Sequence, residues 1–174
     1  GIQGRRVIAD YAKWAAQDVE VGLSDDELSE LALCSQRSGA ESLRRALRDL
    51  LDPWMDRRSP RWLLGFRDIT GVEKIRTAIA TVVPRVGVGH TMPLFRSSQQ
   101  AHLQAALLGN WGALGFDYLA RQKVGGTHLT YGYLKQFPVL SPDRFTQADL
   151  AYLVPRVLEL TYTATDLKPW AADL

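Results

Sequence analysis

Trp62-Leu63-Leu64-Gly65-Phe66-Arg67-Asp68-Ile69-Thr70 decides the fold class, because its apolar, aromatic and β-branched residues read as a strand that ends in a turn at Gly71. Residues 76–83 (RTAIATVV), rich in Thr, Ile and Val and stopped by Pro84, predict a second strand. Residues 86–95, with two glycines, a threonine and Pro93, predict a third. A long helix is expected behind them, from Gln100 or Ala101 to about Gln122. Leu103, Leu107, Leu108, Trp111, Leu114, Tyr118 and Leu119 keep near-helical spacing there. Gly109, Gly112 and Gly115 fall inside it at intervals of three, each costing up to about 1 kcal/mol relative to alanine. They mark either close packing against another backbone or a break. Gly125-Gly126 ends the helix, followed by a loop, a short helical turn and an extended Phe137-Pro138-Val139-Leu140.

Outward from this centre the chain is helical. Residues 7–17 carry helical apolar spacing. Ser24 with Glu27 three residues on reads as a capping box opening a short helix through Leu33. Residues 41–51 resume the pattern with Leu43, Ala46, Leu47, Leu50 and Leu51, and Pro53 is expected to end it. A final helix runs from Thr146 to about Tyr162. The expected architecture is therefore α+β: a small mixed sheet braced by a long helix, with helical flanks. Its expected divisions are a helical appendage (1–56), a core (57–145) and a C-terminal helical segment (146–174). Cys34, Trp62, Trp111 and Trp170 are assigned to core packing.

The net charge of +2 conceals an uneven distribution. From Arg57 to Lys135 there are 11 Lys/Arg against 3 Asp/Glu, whereas the remainder has 10 basic and 16 acidic residues. A basic middle of this kind attracts a phosphate backbone, since each Lys or Arg set on a phosphate releases condensed counterions; a solvated Arg-rich surface is the plainer alternative. No apolar run approaches the roughly 18 to 20 residues that span a bilayer, and residues 1–10 lack a signal-peptide core. The single cysteine, Cys34, forms no internal disulfide and suits a reducing cytoplasm.

Catalytic patterns are missing. One Cys and three scattered His (His90, His102, His128) fall short of a zinc ligand set. There is no Gly-x-Ser-x-Gly elbow and no Walker-type loop. Asp52-Pro53-Trp54-Met55 approaches the Asp/Asn-Pro-Pro-aromatic motif of amino-methyltransferases but lacks the second proline, and Glu73-Lys74 lacks the spacing of a metal-dependent nuclease. No catalytic residue and no metal ligand is assigned.

Residues 62–70 and 76–93 (WLLGFRDIT, RTAIATVVPRVGVGHTMP) and 107–142 (LLGNWGALGFDYLARQKVGGTHLTYGYLKQFPVLSP) carry a resemblance. Together they resemble the C-terminal target-recognition region of large, fused adenine-specific DNA methyltransferases of type IIG-like restriction-modification and phage-defence systems. The second stretch is also similar to TaqI-type and type I specificity domains, where a helix precedes a Gly-Thr-His loop, a short helix and a Leu/Phe-Pro-Val-x-x-Pro exit. Residues 158–171 (LELTYTATDLKPWA) look like the segment that follows in the methyltransferases. The resemblance spans about residues 62–174 and departs at Gly109-Asn110-Trp111, where the family more often has an Asn-Ser pair.

The resemblance implies a cytoplasmic, bacterial DNA-binding region, non-catalytic by itself, whose partners are double-stranded DNA and an upstream methyltransferase domain in cis. S-adenosylmethionine would bind that domain and not this one. Arginine suits guanine because its fork meets O6 and N7 together, so Arg67, Arg76, Arg85, His90 and Arg96, in or beside the predicted strands, are candidate groove-facing groups. Arg67 has a rival role as an ion-pair partner of Asp68. The sharper candidate is Arg121, Lys123, Gly125, Gly126, Thr127 and His128, where two glycines after a basic helix end let a backbone approach closely; Lys135 adds charge. On this reading Arg121 and Lys123 are removable without harm to the fold. The plainer alternative is a helix C-cap at Gly125. Tyr131 and Tyr133 stack on the core or on sugars. A rival function is a protein-interaction module that docks a methyltransferase onto a partner subunit.

Overall fold

The computed structural model describes residues 24–36 and 39–174, which divide into two compact units between Ser59 and Pro60. The helix predicted over 7–17 lies outside the described residues. In the first unit, helix α1 (Asp25–Ser35) opens on the expected capping box: Glu27 N–H donates to Ser24 Oγ (3.3 Å) and Ser24 N–H to Glu27 Oε2 (2.9 Å). Helix α2 (Ala40–Arg58) starts at Gly39, whose φ of +97° is a left-handed conformation natural to glycine.

Pro53 does not end α2; the helix continues to Arg58 with the proline inside it. The missing N–H and the ring's clash with the preceding turn cost about 3 kcal/mol in a helix interior. Against this, Leu43, Leu47, Leu50 and Trp54 form one helical stripe that crosses the proline, and Leu43 and Trp54 are buried in a common cluster. Burial of the Trp54 ring, worth several kcal/mol, requires the turn beyond Pro53.

The second unit holds the sheet. Strands β1 (Trp62–Phe66), β2 (Ala80–Pro84) and β3 (Leu94–Phe95) are ordered β2-β1-β3, antiparallel throughout, which is simpler than the mixed sheet expected. Trp62 faces Pro84 and Phe66 faces Ala80; on the other side Gly65 faces Leu94 and Leu64 faces Phe95. Glycine at 65 allows a close approach of the neighbouring chain, because a Cβ there would stand 3.1 Å from both Pro93 O and Met92 Cε.

All three expected strands are shorter than their sequence patterns, the first ending at Phe66 and not at Thr70; for the second and third the reasons are local. Residues 76–79 lie outside the strand with a bend at Thr77, and the amides of Thr77 and Ala78 donate to a side-chain carboxylate, Asp117, instead of a neighbouring strand. Residues 85–93 turn on themselves, with Val86 N–H on Pro84 O and Met92 N–H on Gly89 O. Only Leu94–Phe95 remains as regular strand, although Pro93 O and Thr91 O still accept from the Phe66 and Asp68 amides.

Alternate residues of β1 (Trp62, Leu64, Phe66) are buried. Helix α3 (Ala101–Gly112) is apolar around most of its circumference, as befits a helix between two layers. It contacts β2 on one side and helix α6 (Gln147–Thr161) on another. Gly109 brings the two helices together, since a Cβ there would lie 3.3 Å from Val157 Cγ2. Helix α6 opens on a Thr146–Asp149 capping box. The short terminal helix α7 (Lys168–Asp173) then seats Trp170, fully buried, edge-on to Trp62 at 4.5 Å. Both indoles find partners: Trp170 Nε1–H donates to Thr161 Oγ1 (3.0 Å) and Trp62 Nε1–H to Asp173 Oδ2 (2.7 Å).

The single long helix expected over 100–122 is in fact two. It breaks at Ala113, which is extended (φ −67°, ψ 144°), and resumes as α4 (Leu114–Lys123). A Cβ on Gly112 or Gly115 would meet nothing, so close packing explains only Gly109 of the three. The break turns Phe116 and Asp117 inward, where Phe116 joins Phe66, Trp111 and Phe137 in a second cluster. Among the described residues no helix is long and apolar enough to cross a membrane.

Candidate functional site

Beyond Phe66 the central strand keeps making main-chain hydrogen bonds while leaving regular geometry. Arg67 N–H donates to Ile79 O and Asp68 N–H to Thr91 O. Two residues later the chain is bridged to the Gly-Gly-Thr-His segment: Leu129 N–H donates to Asp68 O (2.7 Å) and Thr70 N–H to Thr127 O (2.9 Å), with Ile69 opposite His128. That segment is therefore fastened to the sheet by its backbone on both sides of His128. Leu129 and Val124, both buried, pin its ends to the aromatic cluster.

The helix before it ends at Lys123, and Val124 caps it with ordinary negative φ. Gly125 is not a left-handed C-cap, since among the described residues only Gly39 has positive φ. Gly125 and Gly126 are exposed, and a Cβ on either would meet nothing. The chain's own packing gives no reason for either glycine.

Side chains complete this end of the sheet. Asp68 Oδ2 lies 3.0 Å from His128 Nδ1, with side-chain exposures of 16% and 56%. Asp68 thus pairs with His128 and not with Arg67, whose Nη2–H donates to Arg76 O (3.2 Å). Lys123 Nζ donates to Gln136 Oε1 (3.3 Å), next to the exposed Lys135. The short helix α5 (Tyr131–Leu134) follows, and Tyr131 packs edge-on to Phe66 at 5.4 Å while its hydroxyl donates to Leu94 O. Tyr133 is half-buried against the same cluster.

The candidate residues named from the sequence fall into three groups. Arg67, Lys123, Gly125, Gly126, Thr127 and His128 share the end of the sheet where β1 exits. Lys135 joins them through Gln136, and His90 through Thr91. Arg85 and Arg96 lie towards the other end: Arg85 N–H donates to Arg61 O beside Trp62, and Arg96 follows Phe95, which faces Leu64. The third group is turned inward. Arg76 Nη2–H donates to Gly112 O (2.6 Å), and its Nε lies 3.7 Å from Asp117 Oδ1. Arg121 Nε–H donates to Asp117 Oδ2 (3.2 Å), while its other nitrogens take the carbonyls of Val72, Lys74 and Ile75. Arg121 is a clamp holding loop 71–76 to α4, so the expectation that it is removable without harm to the fold is corrected.

Asp117, which sequence reasoning did not single out, is the centre of that clamp and is only 4% exposed. Burial by itself would raise its pKa. The Ala78 amide, Arg121, the Thr77 amide and the Arg76 charge together outweigh burial and hold the carboxyl below the ordinary aspartate value. A different surface lies outside the clamp, where Ile75 (94% exposed), Leu114 (77%) and Tyr118 (63%) stand open around the start of α4.

The site thus offers amides, an imidazole, a hydroxyl and cationic side chains on a rigid edge. It has the means to bind a polar or anionic surface. No group of three or more His, Cys, Asp or Glu is placed to hold a metal ion among the described residues. Comparison with family models, with curated proteins and with solved structures finds no match for this chain.

Proposed function

We propose that this chain is the DNA target-recognition region of a restriction-modification or phage-defence N6-adenine DNA methyltransferase, and that it performs no chemistry itself. The observation that carries this reading is the backbone-fastened Gly-Gly-Thr-His segment. A Cβ on either of its two glycines would meet nothing, Lys123 precedes them, and Thr127 and His128 follow them directly in the chain. Glycines without side-chain bulk let a phosphate oxygen reach main-chain amides, and neighbouring cations supply the charge. The methyl-transfer centre and S-adenosylmethionine belong, in this reading, to an upstream domain in cis.

Duplex binding measured across a salt series tests it. The whole chain is expected to retain random duplex DNA at about 50 mM salt and to lose affinity steeply by 200 mM. Replacing Lys123 and Lys135 by alanine is expected to flatten the slope of log K against log salt by about 0.9 for every phosphate that these lysines neutralise. Undiminished slope and affinity in the double variant would remove this edge from the interface.

The exposed apolar side chains of Ile75, Leu114 and Tyr118 favour a second reading, a module that docks a methyltransferase onto a partner subunit. Under that reading the folded chain fails to retain duplex DNA even at low salt.

A further inference from the structure

We infer that His128 is the base-reading side chain of this segment, and that Asp68 sets which hydrogen-bonding group it presents. The inference rests on the DNA-recognition reading above and goes beyond it by naming the reader and the class of base edge it selects.

The ring's own hydrogen bond fixes its chemistry. Asp68 Oδ2 is 3.0 Å from His128 Nδ1, and an ionised carboxylate only accepts hydrogen bonds, so the hydrogen between them is carried by Nδ1. In the neutral ring this fixes the tautomer and leaves Nε2 as a lone-pair acceptor. Nε2 has no hydrogen-bond partner among the described residues, and the side chain is 56% exposed. The backbone on each side is held by the Thr127 carbonyl and the Leu129 amide, so the ring is oriented before any ligand arrives. Such preorganisation avoids the side-chain ordering cost that a free surface residue meets on binding.

Several other candidates are committed elsewhere or suit phosphate better than a base edge. Arg76 and Arg121 are spent on Asp117 and on main-chain carbonyls. Arg67 already directs Nη2 at Arg76 O. Lys123 and Lys135 are point charges suited to phosphate. A single fixed acceptor pairs with an exocyclic amino group in the major groove, N6 of adenine or N4 of cytosine, and is mismatched to the acceptors O6 of guanine and O4 of thymine. Asp68 acts as a positioning residue. It touches no DNA in this scheme but dictates the tautomer of the residue that does.

The test is selection of bound duplexes from a randomised library at pH 8, using the whole chain and its His128→Ala and Asp68→Asn variants. The parent chain is expected to enrich a motif that includes adenine or cytosine at the position His128 governs. His128→Ala should lose preference at that one position by roughly 3- to 10-fold, the worth of one hydrogen bond, while preferences at the other positions of the motif persist. Asp68→Asn, whose amide N–H can donate to Nδ1, should move the hydrogen to Nε2 and shift that preference towards guanine or thymine.

A parent chain that enriches no motif overturns the recognition reading and this inference together. A motif that survives His128→Ala intact overturns the inference alone. So does a uniform loss of affinity with a flatter salt slope, which would make His128 a phosphate ligand. A measurement independent of any variant's folding is the ¹⁵N signature of His128 in the parent protein, expected to show Nδ1 protonated at pH 8; the Nε2–H tautomer would refute the scheme.

Discussion

Arg76 and Arg121 both end on Asp117, and that carboxylate accepts two buried main-chain amides besides. Asp117→Ala would strand the Thr77 and Ala78 amides, each at about 1–3 kcal/mol, whereas Asp117→Asn keeps the oxygen that those amides need and gives up the charge and the acceptor of Arg121 Nε–H. Thermal unfolding should therefore rank the alanine variant well below the asparagine variant; equal losses would mean the amides have another acceptor. The pH dependence has a definite sign. A carboxyl whose folded pKa lies below its unfolded value contributes stability that is complete above about pH 4 and disappears as pH falls through the folded pKa. The gap between the parent chain and Asp117→Asn should accordingly narrow as pH drops below about 4. At this scale the sequence was partly legible. Asp117 and Arg121 are four apart, a spacing that pairs side chains on a helix, but the amides of Thr77 and Ala78 lie about forty residues upstream and leave no local trace. Asp68 and His128 are sixty residues apart, so neither could be read as the other's partner.

Glycine positions separate the elements whose geometry is forced from those that have room. Gly65→Ala pushes a Cβ to 3.1 Å from the Pro93 carbonyl, which is backbone and cannot swing away. An overpacking loss of about 1–3 kcal/mol is expected. Gly115→Ala adds a methyl in open space inside α4, where alanine is the better helix former, and a gain of about 0.4–1 kcal/mol is expected. Denaturant midpoints for the two variants should move in opposite directions; a stabilised Gly65→Ala would refute the close approach of β3. Element types were readable because burial repeats with the period of each element: Trp62, Leu64 and Phe66 alternate, and the apolar residues of α3 and α4 return every three or four positions. Boundaries were not, because long-range partners set them. A stripe ending in Trp54 carried α2 past Pro53, and a distant carboxylate took the amides of residues 77 and 78 out of the sheet.

At the scale of the molecule, the charge excess of the middle third was plain in the sequence, but its distribution was not. Basic residues that share a composition window are split between an inward clamp, one end of the sheet and the other. What remains at the exit of β1 is a small, well-oriented set and not a broad positive face. Trp170 holds the far side of this unit together: burial of its ring is complete, and Trp170→Ala should cost about 3–5 kcal/mol. A chemical-denaturation curve that moved by less than about 1 kcal/mol would show that α7 is dispensable to the unit. The segment at 125–129 has a different character: Leu129 anchors its end in the core, while Thr127 and His128 are held through the Thr127 carbonyl and the Leu129 amide, peptide groups that do not depend on the side chains at 127 and 128. The scaffold therefore does not depend on which side chains stand at 127 and 128. Changes there would alter what is displayed without disturbing what displays it, so a lineage carrying this frame can vary the surface at 127 and 128 by single substitutions while the sheet behind it stays the same.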